Sequence, residues 1–351
     1  MNVLVTGNKG YIGSVLTQIL QEKGYHITGI DTNFYPACVG ENYEKQITQI
    51  RKDIRNIKDD DIEDIDAIIH LAALSNDPLG EFDPRLTYDI NLHSTVNLAK
   101  LAKKNGVRRF IYSSSQSMYG ISKITDELDE DNSEKNPLTV YAKTKWNAEC
   151  NLKKLGDSNF TVTCFRPSTV FGVSPHLRCD IVFNNLVACA YTTGRIEIKS
   201  DGSPWRPVVH VRDVSNAFIA GLEAPADLVA NESFNIGIKN GNYTVKDLAE
   251  AAQKVVKDSS LVFTGEHGSD SRTYKVSFKK ILSVLKEYYK PEWDLIKGGN
   301  ELVNYFDSIG FNEDMFRGRC CNRLAQLKYL IEQKNLDSNL FWRRQLDGVY
   351  A

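Results

Sequence analysis

Tyr141 and Lys145 stand four positions apart, and their types and spacing point to proton transfer. On a helix they share one face, so the lysine ammonium would lie beside the phenol. An unperturbed tyrosine has a pKa of about 10, and bringing it to about 7 takes roughly 4 kcal/mol of phenolate stabilisation. A nearby ammonium contributes to that stabilisation. Ser115, 26 residues before Tyr141, would hold a substrate oxygen during the transfer. Taken alone, the spacing also fits an amphipathic helix with exposed lysines.

A glycine-rich segment, TGNKGYIG at residues 6–13, stands between a predicted strand at 3–5 and a predicted helix at 11–21. Gly7 permits a tight turn, Gly10 lets the backbone approach a pyrophosphate, and Gly13 lets the helix pack closely on the strand. The helix N-terminus then offers free N–H groups to the anion. This setting predicts a dinucleotide site.

Asp31 ends the second predicted strand, 18 residues after Gly13. A carboxylate there accepts hydrogen bonds from the adenosine ribose hydroxyls and repels a 2′-phosphate. Residues 32–35 contain no arginine to bind such a phosphate. The sequence therefore predicts NAD, rather than NADP, as the cofactor.

The elements that must position these residues alternate along the chain. Strands are predicted near residues 3–5, 26–30, 47–53, 67–72, 109–112 and 160–165, with helices between most of them. This alternation predicts an α/β fold with a Rossmann-type doubly wound parallel sheet. We expect residues 1–166 to form the NAD-binding domain, with return segments near 207–237. A smaller, interleaved α/β substrate-binding region would comprise 167–206 and 238–300, followed by a C-terminal helical extension at 301–351.

Composition excludes several classes of protein. The 351 residues include 43 basic and 45 acidic side chains, a net charge of −2, which disfavours nucleic-acid binding through bulk electrostatics. No apolar run approaches the ~18 residues of a membrane span, and the first residues lack a secretory-signal pattern, so we expect a cytoplasmic protein without membrane partners. The seven cysteines are scattered without zinc-site spacing, so no metal is predicted.

Together these motifs resemble the extended short-chain dehydrogenase/reductase family, in its NAD-dependent nucleotide-sugar epimerase/dehydratase branch. The likeness covers roughly residues 1–280 and also rests on Asp53, HLAAL at 70–74, SSSQSMYG at 113–120 and YAKTK at 141–145. It implies that Ser115, Tyr141 and Lys145 are catalytic. It implies that the cofactor is bound by Gly7, Gly10, Tyr11, Ile12, Gly13, Asp31, Asp53, Ile54, Leu71, Ala72, Ala73, Asn91, Ser113, Tyr141 and Lys145. Asn91 is also compatible with a helix N-cap.

The same resemblance assigns substrate contacts. They are Ser75, Ser115, Thr169, Asn185, Arg206 and Arg272. Asn185 matches a nucleotide-contacting position, and the two arginines match diphosphate-binding ones, where a guanidinium binds oxygens bidentately. Thr169 occupies a position often held by asparagine. Gln116 and Ser117 stand where 4,6-dehydratases of the branch carry an Asp-Glu pair, which disfavours that reaction.

The leading hypothesis is epimerisation of a nucleotide-diphosphate sugar, most simply at C4 through a transient 4-keto sugar. A nucleotide-sugar 4-ketoreductase or dehydrogenase with exchangeable NAD(P)H would use the same three residues. A non-catalytic NAD-binding sensor or scaffold would be free to lose them. The family resemblance further implies a homodimer, formed through the helices that follow Asn91 and Tyr141.

Overall fold

The computed structural model describes residues 1–36, 47–120, 126–198, 200–264 and 273–343. The strands are β1 Asn2–Thr6, β2 His26–Asp31, β3 Thr48–Arg51, β4 Ala67–His70, β5 Arg109–Ser113, β6 Glu127–Leu128, β7 Thr161–Pro167, β8 Thr169–Phe171, β9 Arg195–Ile198, β10 Trp205–His210, β11 Ser233–Ile236, β12 Asn242–Thr244, β13 Ser260–Phe263 and β14 Lys275–Val276. The helices are α1 Tyr11–Glu22, α2 Asp77–Gly80, α3 Pro84–Tyr88, α4 Ser94–Lys104, α5 Val140–Lys153, α6 Val182–Thr193, α7 Val211–Glu223, α8 Ala226–Val229, α9 Val245–Val255, α10 Lys279–Val284, α11 Leu295–Ser308, α12 Glu313–Arg317 and α13 Arg323–Glu332.

A seven-stranded sheet with the order β11-β7-β5-β4-β1-β2-β3 forms the centre of the molecule. Neighbouring strands are parallel, and Val3 of β1 is in register with Ile27 of β2 and Ala67 of β4. Residues 3–6 of β1 are buried because α1 and α7 pack on one face of the sheet and α4 and α5 on the other. The predicted Rossmann-type, doubly wound sheet is confirmed. Strand order reverses beside β1, which opens a crevice at the carboxyl ends of the strands.

A second group of elements forms the smaller region. Its sheet has the order β12-β10-β8, and β9 pairs with β13. Helices α6, α9 and α11 share an apolar core around Phe183, Leu248 and Phe306. The chain returns to the large sheet at β11, within the return segments predicted near 207–237, while the domain boundaries stay predictions.

The helix predicted at residues 323–331 is present as α13. Its Leu327 and Leu330 pack on Ile54 and Leu79 of the dinucleotide half. Within the ranges the structure describes, no helix is long and apolar enough to cross a membrane.

Candidate active site

A cavity of about 610 Å³ opens at the carboxyl ends of the central strands. It brings together most of the residues predicted to bind cofactor or substrate: Gly7, Gly10, Tyr11, Ile12, Gly13, Asp31, Asp53, Ile54, Leu71, Ala72, Ala73, Ser75, Ser113, Ser115, Tyr141, Lys145, Thr169 and Arg206. Asn91 and Asn185 do not line it. Arg272 lies outside the described residues.

The glycine loop forms a cradle that side chains would fill. Gly7 has a φ of +76°, and a Cβ there would stand 2.8 Å from the backbone nitrogen of Ala72. A Cβ on Gly13 would collide with the Gly7 carbonyl oxygen. The N-cap of α1, Gly10, has no capping side chain, and the first turn carries no acidic residue. The first N–H groups of α1 and its positive dipole end therefore suit a pyrophosphate.

The Tyr11 side chain does not add to this phosphate cradle. Its hydroxyl donates to the Gly172 carbonyl at 2.6 Å and accepts from the Asn184 amide at 3.1 Å. Tyr11 thereby fixes the smaller region against the glycine loop, and only its backbone is offered to a cofactor.

Two carboxylates stand at the adenosine end. Asp31 accepts from the backbone nitrogens of Lys9 at 3.1 Å and Asn33 at 2.7 Å, and burial raises its pKa. These bonds occupy one acceptor site on each oxygen, so ribose hydroxyls can still be accepted. Asp53 is held bidentately by Arg55, at 2.9 and 2.8 Å, and therefore presents a fixed edge to the cavity.

Asn91 acts behind the cavity wall rather than as a helix N-cap. Its side chain accepts from the Leu74 backbone nitrogen at 2.8 Å and donates to the Leu74 carbonyl at 3.1 Å. It lies in a π-helical turn, Asp89–His93, whose N-cap is Tyr88. Asn91 thus fixes the loop after β4, whose Leu71, Ala72 and Ala73 face the cavity.

Helix α5 brings the catalytic candidates together. The Thr139 hydroxyl caps it by accepting from the Ala142 nitrogen at 3.1 Å, so Tyr141 lies in the first turn. Lys145, one turn later, is buried and donates to the Ser113 carbonyl at 2.7 Å. Its Nζ lies 6.0 Å from the centroid of the Tyr141 ring. Ser115 forms a side-chain hydrogen bond with Tyr141.

Burial has the largest effect on the pKa values of both Tyr141 and Lys145. Burial raises the pKa of Tyr141 to about 12, against a lowering by the Ser115 hydrogen bond. Burial also lowers the pKa of Lys145 to about 7. Because both charged forms are desolvated, ionisation of Tyr141 needs a further positive charge in the cavity.

The two residues after Ser115 do not form an acid–base pair. Gln116 is buried and donates to the carbonyls of Arg166 at 3.0 Å and Ile236 at 3.3 Å. The Ser117 hydroxyl lies 2.9 Å from that of Ser115. Gln116 therefore serves the structure, and neither side chain can replace a carboxylic acid in proton transfer.

Two charged cavity residues escape sequence reasoning. Arg178 and Asp180 form a two-point ion pair at 2.8 and 3.0 Å, and both side chains are largely buried. Arg178 also donates to Ser75 at 3.3 Å, and its charge lowers the pKa of Tyr141. No motif surrounds this pair in the sequence, and its Arg-x-Asp spacing is the one available signal.

Asn185 points away from the cavity. It is exposed, and its amide donates to the Cys179 carbonyl at 2.8 Å. The preceding Asn184 is the buried one, donating to Tyr11 and accepting from the Gly172 nitrogen. The first turn of α6 reaches the cavity through Val182, next to Ile181, so the predicted nucleotide contact at Asn185 has no support in this geometry.

Comparison with known proteins is consistent with this cavity. The sequence profile of the NAD dependent epimerase/dehydratase family matches residues 3–237. The chain belongs to that family. Its cofactor is accordingly NAD, as the sequence predicts, and the uncapped α1 terminus and Asp31 fit that group.

Relatives in this family catalyse several reactions. The UDP-glucose 4-epimerase of Bacillus subtilis (strain 168) is 29% identical over 286 residues, which are 73% of this chain and 82% of that enzyme. UDP-glucuronic acid decarboxylase 1 of Xenopus tropicalis is 25% identical over 312 residues, 87% of this chain and 72% of the relative. The structure of the Thermotoga maritima UDP-glucose 4-epimerase with UDP-glucose superposes with a TM-score of 0.76 at 23% identity, covering 88% of this chain and 99% of that one.

Proposed function

We propose that this chain interconverts the C4 epimers of a nucleotide-diphosphate sugar. The convergence of Ser115, Tyr141 and Lys145 on a cavity that begins at the glycine loop carries this proposal. The absence of a carboxylate pair after Ser115 favours it over 4,6-dehydration. The similarity to a UDP-glucose 4-epimerase supports it as well.

Different residues of the chain would bind NAD and the sugar nucleotide. The α1 N-terminus would bind the pyrophosphate of NAD, Asp31 the adenosine ribose, and Lys145 the nicotinamide ribose. NAD, when bound, supplies the hydride acceptor and, in its reduced form, the donor. Arg206, on β10 at the cavity wall, would bind the sugar-nucleotide diphosphate. Arg272 is proposed for the same diphosphate.

Proton movement runs through Tyr141. As phenolate, it takes the proton of the sugar C4 hydroxyl, and Ser115 donates a hydrogen bond to the same oxygen. The Lys145 ammonium and the positive charge of the oxidised cofactor offset the burial that opposes ionisation. Tyr141 returns the proton after the 4-keto sugar has turned about its diphosphate anchor and presented its other face.

Replacement of Tyr141 with phenylalanine tests the assignment. The variant should lose interconversion of UDP-glucose and UDP-galactose by at least about 100-fold while it retains bound NAD, because only the proton acceptor is removed. Tyr191→Phe is the matched control, since the hydroxyl of Tyr191 on α6 donates to Asp307 on α11 at the surface, outside the cavity. Near-normal turnover by the Tyr141 variant would overturn the assignment.

Cofactor retention separates the proposal from a ketoreductase. An epimerase regenerates its cofactor in each turnover, so purified protein should release about one NAD per chain on denaturation. An empty site, with oxidation of added NADH by 4-keto sugars, would instead establish the reductase. Retained NAD without turnover of any nucleotide sugar would establish a sensor or scaffold.

A further inference from the structure

The C-terminal segment, defined as residues 322–343, reaches back to the adenosine end of the cavity. Helix α13 begins at Arg323, and Asn322, Arg323 and Leu324 all line the cavity wall. The Arg323 side chain is only 3% exposed. This wall is therefore built from residues about 300 positions beyond the glycine loop in the sequence.

Polar contacts fasten the C-terminal segment to the loop that follows Asp31. The Gln326 amide donates to the Phe34 carbonyl at 3.2 Å, and the Trp342 indole donates to the Thr32 carbonyl at 2.7 Å. Both ends of the segment are thus tied to backbone that borders the predicted ribose site.

Arg55, four residues after the end of β3, holds the C-terminal segment on its other side. The Arg55 guanidinium donates to the Asn339 carbonyl at 2.9 Å and lies 4.0 Å from the Phe341 ring centroid. Arg55 also holds Asp53, one of the residues predicted to bind the cofactor. Arg55 therefore supports both Asp53 and the C-terminal segment.

Apolar packing also holds the C-terminal segment in place. Four leucines of the segment are at most 4% exposed: Leu327, Leu330, Leu336 and Leu340. They pack with Ile54, Leu79 and Ile90 of the dinucleotide half. Opening the segment would expose these leucines to water, which is unfavourable.

Arg323 brings a positive charge to this wall. Its guanidinium carbon lies 4.2 Å from the centroid of the Tyr35 ring, and it donates to the His176 carbonyl at 2.8 Å. This charge opposes the rise in the Asp31 pKa that burial causes, and it adds to the effect of Arg178 in lowering the pKa of Asp180. A guanidinium held beside a cavity that accepts a dinucleotide is suited to its phosphates.

We propose that the C-terminal segment is the outer wall of the dinucleotide site, that Arg323 contacts the bound NAD, and that NAD leaves only when this segment opens. The inference depends on the NAD site of the family and not on C4 epimerisation. Its consequence is a cofactor that stays bound from one turnover to the next.

The rate of NAD release tests the proposal directly. Protein purified with NAD is mixed with an enzyme that destroys free NAD, and the remaining bound NAD is followed with time. Arg323→Ala and Trp342→Ala should each release NAD at least about 10-fold faster than the unmodified chain, a change of about 1.4 kcal/mol in the barrier. Lys328→Ala and Tyr329→Ala, two exposed positions on α13, are the matched controls and should stay within about twofold.

Release rates within twofold of the unmodified chain for both test variants would overturn the proposal. If either variant fails to fold, amide hydrogen exchange of the unmodified protein, measured with and without NAD, tests the proposal instead. NAD should slow exchange in α13 at least about 10-fold, and unchanged exchange there would also overturn it. Neither readout needs turnover, so a failed epimerase assignment leaves the test intact.

Discussion

Removal of the Ser115 hydroxyl has a calculable effect on the proposed base. Its hydrogen bond with Tyr141 opposes the burial that raises the Tyr141 pKa to about 12. A hydrogen bond to a charged group is worth about 1.5–3 kcal/mol, and one pKa unit corresponds to about 1.4 kcal/mol. In the NAD-loaded enzyme, Ser115→Ala should therefore raise the pKa of Tyr141 by about one to two units.

The direction of the effect on kcat follows from which protonation state of Tyr141 is active. The phenolate is the base, so activity is lost as the pH falls below the pKa of Tyr141. A higher pKa moves this acidic limb to higher pH and lowers kcat about 10- to 100-fold on the limb. At higher pH part of the loss should be recovered, because Tyr141 ionises there without help.

The assay is kcat for UDP-glucose and UDP-galactose interconversion measured across pH. Ser283→Ala serves as control, because Ser283 is exposed on α10 and donates to the Lys279 carbonyl. An acidic limb at unchanged pH, with kcat lowered equally throughout, would refute the reasoning. Ser115 would then act on the substrate oxygen without stabilising the Tyr141 phenolate.

Three further outcomes are expected. Arg178→Met should lower the free energy of unfolding by about 3 kcal/mol in denaturant titrations, because the buried Asp180 carboxylate loses its ion-pair partner. Adding Asp180→Asn removes that charge and should restore part of the loss. Burial raises the folded-state pKa of Asp213 to about 6, so this carboxyl should contribute up to about 3 kcal/mol more stability as pH falls from 7 toward 4. In unfolding measured against pH, the unmodified chain should gain that amount of stability relative to Asp213→Asn over this range. The exposed faces of α4 and α5 carry lysines, among them Lys100 and Lys143, which would repel each other across a dimer interface formed by these helices. Salt screens this repulsion, so the dimer should strengthen in sedimentation experiments as salt rises from about 0.05 to 0.5 M. A monomer at every salt concentration would contradict that interface.

Local sequence suffices to predict the dinucleotide half of the fold. Val3, Leu4 and Val5 are fully buried, and short apolar runs bounded by glycine are typical of strands covered on both faces. The glycine loop and the spacing of Tyr141 and Lys145 are also local patterns. They are recognisable because a strand, a turn and one face of a helix fix their geometry.

Contacts between distant segments escape that reasoning. Residues 32–35 carry no arginine, yet the fold brings Arg323 beside Asp31 from 292 positions further along the chain. Asn185 illustrates a second limit. Successive helix residues point about 100° apart, so predicting which asparagine faces inward requires the docking of α6, not only its sequence.

The two walls of the cofactor site lie far apart in the sequence, so the ribosome synthesises them at different times. Gly7 is synthesised 316 residues before Arg323. At roughly 5–20 residues per second, translation leaves the cleft without its outer wall for about 15–60 s. On the proposal that the C-terminal segment is the outer wall, a dinucleotide that enters during this interval is enclosed when α13 docks. Binding during synthesis would then need no opening of the C-terminal segment, whereas a finished chain without NAD would need that segment to open.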